Sequence, residues 1–248
     1  LSRAMQGADI VIHAAALKHV PAAEYNPIEF VKTNILGTSN VIETAIDTNI
    51  QRAILVSTDK AANPINLYGA TKLCAEKLFV QANSYVGDRE TSFSCARYGN
   101  VMGSRGSVVP LFLEQKEKGY VTITDERMTR FWITVEQGVR FVLKSLEVMQ
   151  GGEIFIPRIP SMKLTDIAEV VAPEAEKRIV GVRPGEKLHE ALITEHEASH
   201  TKEFPEFYVI EPQFAYWREN GGIGGGQAVA EGFVYTSDTN PHWLTKED

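Results

Sequence analysis

Apolar and polar positions alternate between two kinds of segment over the first two thirds of the chain. Asp9–Ala15 (DIVIHAA), Arg52–Ser57 (RAILVS) and Thr91–Arg97 (TSFSCAR) are short runs dense in apolar residues. Such runs suit strands buried on both faces of a parallel sheet. Between and after them, Phe30–Ile46, Tyr68–Asn83 and Thr134–Met149 repeat apolar residues at helical spacing, as in Val135, Val139, Val142, Leu143 and Leu146. Strands alternating with helices predict an α/β fold, a Rossmann-like doubly wound parallel sheet covered on both faces. After about residue 150 prolines recur and segments shorten. A short helix is expected over Thr165–Val171, capped by Thr165 or Asp166. From Pro212 onward, with Gly221, Gly222, Gly224, Gly225 and Gly226, a loop or mobile arm is expected. The predicted division is 1–150, a cofactor-binding domain with a substrate-binding insert around 101–133, and 151–248, mainly a smaller substrate-binding domain and tail.

Composition narrows the picture without redirecting it. The 248 residues are 44% hydrophobic and 23% charged, with 25 basic and 32 acidic residues giving a net charge of −7. A mildly acidic chain with no basic block argues against nucleic-acid binding. The most apolar stretch, Ile10–Leu17, is interrupted by His13 and is far short of the roughly 20 residues a membrane span needs. The six histidines are scattered and the two cysteines, Cys74 and Cys95, form no ligand pair, so no metal is expected. Both cysteines read as small buried hydrophobes.

Residue 1 is Leu, and the strand–glycine loop–helix that opens such folds is not found. Gly99-Asn-Val-Met-Gly103-Ser-Arg-Gly106 follows a strand but runs into Ser107-Val108-Val109-Pro110, so it matches a phosphate loop only in part. The expectation is a chain that forms most of a larger protein, begun partway through its cofactor-binding sheet. By itself it should bind cofactor weakly and have little activity.

Candidate chemistry concentrates in STDKAANPINLYGATK, residues 57–72. Tyr68 and Lys72 are four apart on a predicted helix and share a face. An ammonium near a phenol favours the phenolate, which could take a proton from an alcohol as hydride leaves its carbon. Ser57 and Thr58, at the carboxyl end of the preceding strand, are placed to hydrogen-bond the same hydroxyl. The alternatives are an ordinary Tyr/Lys pair on a surface helix and, for Asp59-Lys60, a solvated ion pair at a strand end.

This segment resembles the extended short-chain dehydrogenase/reductase superfamily. With HAAALKHVPAAEYNP (13–27), KTNILGTSNV (32–41), RYGNVMGSRGSVVP (97–110), MTRFWIT (128–134), GGEIFIP (151–157), PSMK (160–163) and RPGEKLHE (183–190), the chain resembles the soluble inverting UDP-N-acetylglucosamine 4,6-dehydratases of pseudaminic acid biosynthesis. The resemblance implies a redox-neutral reaction with NADP. Hydride leaves C4, water is lost across C5–C6, and hydride returns to C6. It implies Tyr68 as base at the C4 hydroxyl, Lys60 as base at C5 if burial leaves it neutral, and Asp59 as acid toward the C6 hydroxyl. Thr58 and Lys72 complete the catalytic set. Ala14, Ser57, Tyr68, Lys72, Val101 and Arg105 are implied cofactor contacts. Lys18, Asn100, Val108, Arg130, Arg183 and Glu186 are implied substrate contacts, with Arg183 on phosphate and Glu186 on ribose hydroxyls. For Ala14, Arg130 and the Arg183–Glu186 turn, purely structural readings stand beside these. A hexamer of identical chains, a UDP-sugar substrate and a cytoplasmic location are further implications; a 4-epimerase, or an inactive nucleotide-binding relative, is the alternative.

Overall fold

The computed structural model describes residues 1–104, 106–217 and 222–247. Helix α1 (Ser2–Met5) leads into β1 (Ile10–His13), followed by α2 (Val20–Tyr25), α3 (Pro27–Phe30) and α4 (Gly37–Asp47). Then come β2 (Arg52–Thr58), α5 (Leu67–Ala82), β3 (Ser92–Tyr98), β4 (Asn100–Val101) and α6 (Val108–Lys116). Strands β5 (Tyr120–Ile123) and β6 (Thr129–Ile133), helix α7 (Val135–Val148), β7 (Ile154–Pro157), β8 (Ser161–Lys163), α8 (Leu164–Val171) and β9 (Glu176–Ile179) follow. The last strands are β10 (Ala191–Ile193), β11 (Thr201–Glu203), β12 (Phe207–Ile210), β13 (Gln227–Ala228) and β14 (Tyr235–Thr236).

The main sheet runs β1-β2-β3-β7-β12-β11-β13. Strands β1, β2, β3 and β7 are parallel, as the sequence predicts, while β12, β11 and β13 join antiparallel. The apolar run RAILVS is continuous because both faces of β2 are covered. Leu55 packs into the core with Ile42, Ala45, Phe79 and Phe93, while its neighbour Ile54 packs with Val142, Leu146 and Phe155. A separate smaller core gathers Phe112, Val121, Trp132, Met162 and Ile167 from α6, β5, β6, β8 and α8.

Three expectations are corrected. The predicted helix Phe30–Ile46 is not uniform, for Val31–Leu36 is one π-helical turn between α3 and α4. It presents the buried Asn34 side chain inward, where Nδ2 donates to the Leu17 carbonyl (2.8 Å) and Thr71 Oγ1 (3.0 Å), and Oδ1 accepts from Leu17 N–H. An asparagine is a poor helix-interior residue because it offers such hydrogen bonds elsewhere. Here they tie the loop after β1 to α5. Second, α8 starts at Leu164 with Lys163 before it and no side-chain cap, rather than behind Thr165 or Asp166. Third, the loop or arm expected after Pro212 includes, among the described residues, segments that pair with the rest of the chain. Gln227–Ala228 pairs with β11, Tyr235–Thr236 pairs with β10, and Trp243 bridges Ser161. Its pairing partners are distant in sequence, so local composition carried no sign of them.

Candidate active site

The carboxyl ends of β1, β2 and β3 open into one cleft of about 440 Å³, where ligands of open α/β sheets bind. Strand β1 delivers Ala14, β2 delivers Ser57 and Thr58, and β3 delivers Tyr98, with Asn100 and Val101 just beyond. Residues of three loops form the other walls, among them Lys18 and His19, Gly106 and Ser107, and Arg183 and Glu190.

Beyond β2 the chain makes one tight turn, Asp59–Ala61, and the Thr58 side chain that caps it accepts from the Lys60 N–H. Asp59 is fully buried, and its Oδ1 accepts from Thr58 Oγ1 (2.9 Å) and pairs with Lys60 Nζ (2.9 Å). Helix α5 then starts with Asn66 Oδ1 capping the Gly69 N–H at 2.8 Å. Gly69 is required there, because a Cβ would collide with the Lys60 carbonyl. We expect Gly69→Ala to push α5 off the Asp59–Lys60 turn at a cost of about 1–3 kcal/mol. A thermal melt with unchanged Tm would contradict that tight seating.

Tyr68 and Lys72 lie on the buried side of α5, as predicted. Their electrostatics differ from the prediction. Burial pushes the Tyr68 phenol upward; Lys60, more than any other cation, opposes it, and a hydrogen bond with Thr58 helps. Lys72 Nζ donates to the Val56 carbonyl at 2.8 Å, and burial lowers its pKa against the pull of Glu76. Lys60 also departs from expectation. Burial disfavours its charge, but the carboxylates of Asp59 and then Glu190 outweigh that and raise its pKa above the ordinary lysine value. It rests protonated rather than neutral. Two anions within hydrogen-bond or ion-pair reach exceed the desolvation of an ammonium that is 24% exposed.

Glu190 is the group that the sequence reading missed. It is buried, with Oε1 3.4 Å from Lys60 Nζ. Its only sequence signal was its place at the end of RPGEKLHE. Arg130, read as a substrate contact, lines the cleft but spends its guanidinium on backbone. It donates to the carbonyls of Thr129 (2.7 Å), Leu188 (3.0 Å) and Lys187 (3.0 Å) and so grips the segment carrying Glu190.

The remaining predicted residues are brought to the cleft wall. Ala14, Lys18, Asn100, Val101, Val108, Arg183 and Glu186 all line it. Burial and the nearby Lys60 charge lower the Lys18 pKa. Arg183 and Glu186 face each other at 3.7 Å across a turn whose Gly185 has φ +81°. A Cβ there would sit 3.1 Å from Asn66 Cβ, and Asn66 Nδ2 donates to the Gly185 carbonyl. Arg105 lies outside the described residues.

Buried polar side-chain atoms without a hydrogen bond are costly and need a reason. Ser57 Oγ, Asp59 Oδ2, Asn100 Oδ1, Ser107 Oγ, Glu186 Oε2 and Glu190 Oε2 are such atoms at this cleft or the Asp59–Ala61 turn, while Thr91 Oγ1 and Trp132 Nε1 lie elsewhere. Their clustering marks a surface built for a polar ligand.

A family model described as polysaccharide biosynthesis protein matches residues 1–212. An inverting UDP-N-acetylglucosamine 4,6-dehydratase of Campylobacter jejuni subsp. jejuni is 51% identical over the whole chain, covering 77% of that protein. A UDP-glucose 4-epimerase of Rickettsia felis is 40% identical over 85% of the chain and 63% of its own length. Among solved structures, Pen from Bacillus thuringiensis superposes with a TM-score of 0.89 at 39% identity, over 99% of this chain and 74% of that one. The dTDP-glucose 4,6-dehydratase DesIV from Streptomyces venezuelae, with NAD bound, shares the fold at TM-score 0.68 and 22% identity, over 75% of this chain and 65% of that one. A model match over most of the chain and a relative identical at half of its positions place the chain in the polysaccharide biosynthesis protein family, which it shares with the inverting UDP-N-acetylglucosamine 4,6-dehydratases.

Proposed function

We propose that this protein is an inverting UDP-N-acetylglucosamine 4,6-dehydratase that uses NADP. The observation that carries the reading is the pair of buried Asp59 and half-buried Lys60, held at 2.9 Å beside the cleft that Lys60 and Tyr68 line. A 4-epimerase needs a base at the C4 hydroxyl but has no use for an acid and a base at C6 and C5. The Rickettsia relative named as an epimerase makes that the runner-up.

The cleft fits a nicotinamide cofactor. Ala14 is small, Ser57 Oγ is buried without a hydrogen bond, and Val56, Tyr98 and Val101 form an apolar floor. Ala14, Ser57, Tyr68, Lys72 and Val101 would hold it there. The chemistry it supplies is to accept hydride from C4 and return it at C6. Within the chain, Tyr68 removes the C4 hydroxyl proton. The ketone so formed acidifies C5–H. Lys60 must then act as a neutral amine and Asp59 as a neutral acid. One proton shift across the 2.9 Å contact, from Nζ to Oδ1, delivers both states without changing net charge. Proton abstraction from C5 then charges Lys60, proton donation to the departing C6 hydroxyl ionises Asp59, and the resting ion pair is restored; when hydride returns at C6, C5 takes a proton from solvent on the face opposite Lys60, and Tyr68 returns its own proton to solvent.

Arg183 and Lys18 supply cations for the diphosphate, Glu186 an acceptor for ribose hydroxyls, and Asn100 and Val108 the sugar wall. Arg130 serves this site by holding the Lys187–Leu188 backbone. A role in pseudaminic acid biosynthesis, a cytoplasmic location and assembly as a hexamer complete the reading. No helix among the described residues is long and apolar enough to cross a membrane. The test is to incubate the full-length protein with NADP and UDP-N-acetylglucosamine and weigh the product. A nucleotide sugar lighter by one water supports the reading; bound substrate with an isomer of unchanged mass overturns it.

A further inference from the structure

Glu190 reaches the catalytic turn from the far side of the cleft, and its position is fixed at every level. Its backbone N–H donates to Ser237 Oγ (2.9 Å), and its carbonyl accepts from the Ser237 N–H (2.8 Å). Arg130 holds the two carbonyls that precede it by two and three residues. The carboxylate is 3% exposed, and Oε2 has no hydrogen bond. Lys60 Nζ thus sits between two buried carboxylates, Asp59 at 2.9 Å and Glu190 at 3.4 Å.

We propose that Glu190 is a positioning residue that fixes the ammonium of Lys60 opposite Asp59 and sets how readily that amine becomes free. The role in turnover rests on the dehydratase reading; the electrostatic role does not. The charged groups facing the pair come from every neighbouring element. Arg130 Nε lies 3.9 Å from Oε1, and Lys187 Nζ lies 3.8 Å from Oε2. Tyr68 from α5 and Lys18 from the loop after β1 both feel the Lys60 charge. Arg130 opposes the charge on Lys60, so Glu190 stands between two cations and offsets their mutual repulsion. Without it, Lys60 would share the cleft with Arg130, Lys187 and Lys18 against one carboxylate.

The test is the rate at which acetic anhydride labels Lys60 at mildly alkaline pH, followed by mass spectrometry with the exposed Lys144 as internal reference. Only the free amine reacts, so the rate reports its population. Glu190→Gln should label Lys60 about tenfold faster or more, as loss of one adjacent charge moves a pKa by about one unit or more. Glu190→Asp, which withdraws the carboxylate by one methylene, should show a smaller increase of the same sign. If Glu190→Gln does not fold, the aspartate variant alone decides. An unchanged Lys60 rate in a folded variant overturns the proposal, even with a lowered Tm, since Glu190 would then be structural only. In full-length protein the falling limb of kcat against pH, where Lys60 loses its proton to solvent instead of to Asp59, should move to lower pH in Glu190→Gln, with KM little changed. Wild-type protein that never dehydrates the sugar defeats the dehydratase reading while leaving the labelling result standing.

Discussion

Lys60→Met should reduce dehydration by about 10²–10⁴-fold, the range for loss of a positioned acid–base group. Methionine keeps the stem and removes the amine, paired with Asp59 at 2.9 Å, to which the proposed mechanism gives the C5 proton. Cofactor binding should persist, because Ala14, Ser57 and Lys72 are untouched. Oxidation at C4 falls to Tyr68, so the variant should stall with a 4-keto sugar. Tyr68→Phe should stall earlier, with no keto sugar at all. Quenching both variants after one turnover and separating the nucleotide sugars checks this order. Normal turnover in Lys60→Met would remove Lys60 from the mechanism.

Arg97→Met should be the most destabilising single change. Arg97 is fully buried and forms paired hydrogen bonds to Glu76 of α5 (2.9 and 2.6 Å) and to Glu197 (3.1 and 2.8 Å), besides one to the Leu192 carbonyl. It fastens α5 to the C-terminal part of the chain. Breaking a buried pair from one side costs about 3–5 kcal/mol. For a chain of this size that lowers Tm by roughly 6–20 °C. The pH dependence should also reverse. Burial pushes the Glu197 carboxyl up, but Arg97 outweighs it and holds the pKa below the ordinary 4.5. In the wild type that stabilisation is complete above 4.5 and is lost as pH falls through the lower folded value. With methionine at 97, the Arg97 attraction that outweighed burial is gone and only the Thr194 hydrogen bonds still favour the Glu197 carboxylate, so its pKa rises and mild acid should recover part of the lost stability. Chemical denaturation at neutral and acidic pH measures both effects. A variant as stable as wild type would mean that the network is replaceable by packing.

Much of the site was legible because it is local. RAILVS announces a buried strand, and STDK followed by YGATK brings acid, base and phenol within one strand–turn–helix unit, where period and capping decide positions. The parallel strands and the helices covering them were legible for the same reason. Features that depend on distant segments were not. Glu190 and Arg130 reach Lys60 from elsewhere in the chain, so of the charges that set its protonation against burial only its sequence neighbour Asp59 was legible. The antiparallel half of the sheet hides in short, proline-rich segments. Asn34 reveals itself only as an awkward residue within a helical pattern, since its partners, Leu17 and Thr71, come from separate elements.

The central claim is elimination through C5 with inversion, and deuterium at C5 tests it most directly. Full-length protein turning over UDP-N-acetylglucosamine with NADP in deuterated water should give a 4-keto-6-deoxy sugar. That sugar should carry solvent deuterium at C5 in the inverted configuration, visible by NMR. A product epimeric at C4, with C5 still protonated and the C6 hydroxyl retained, would contradict the account.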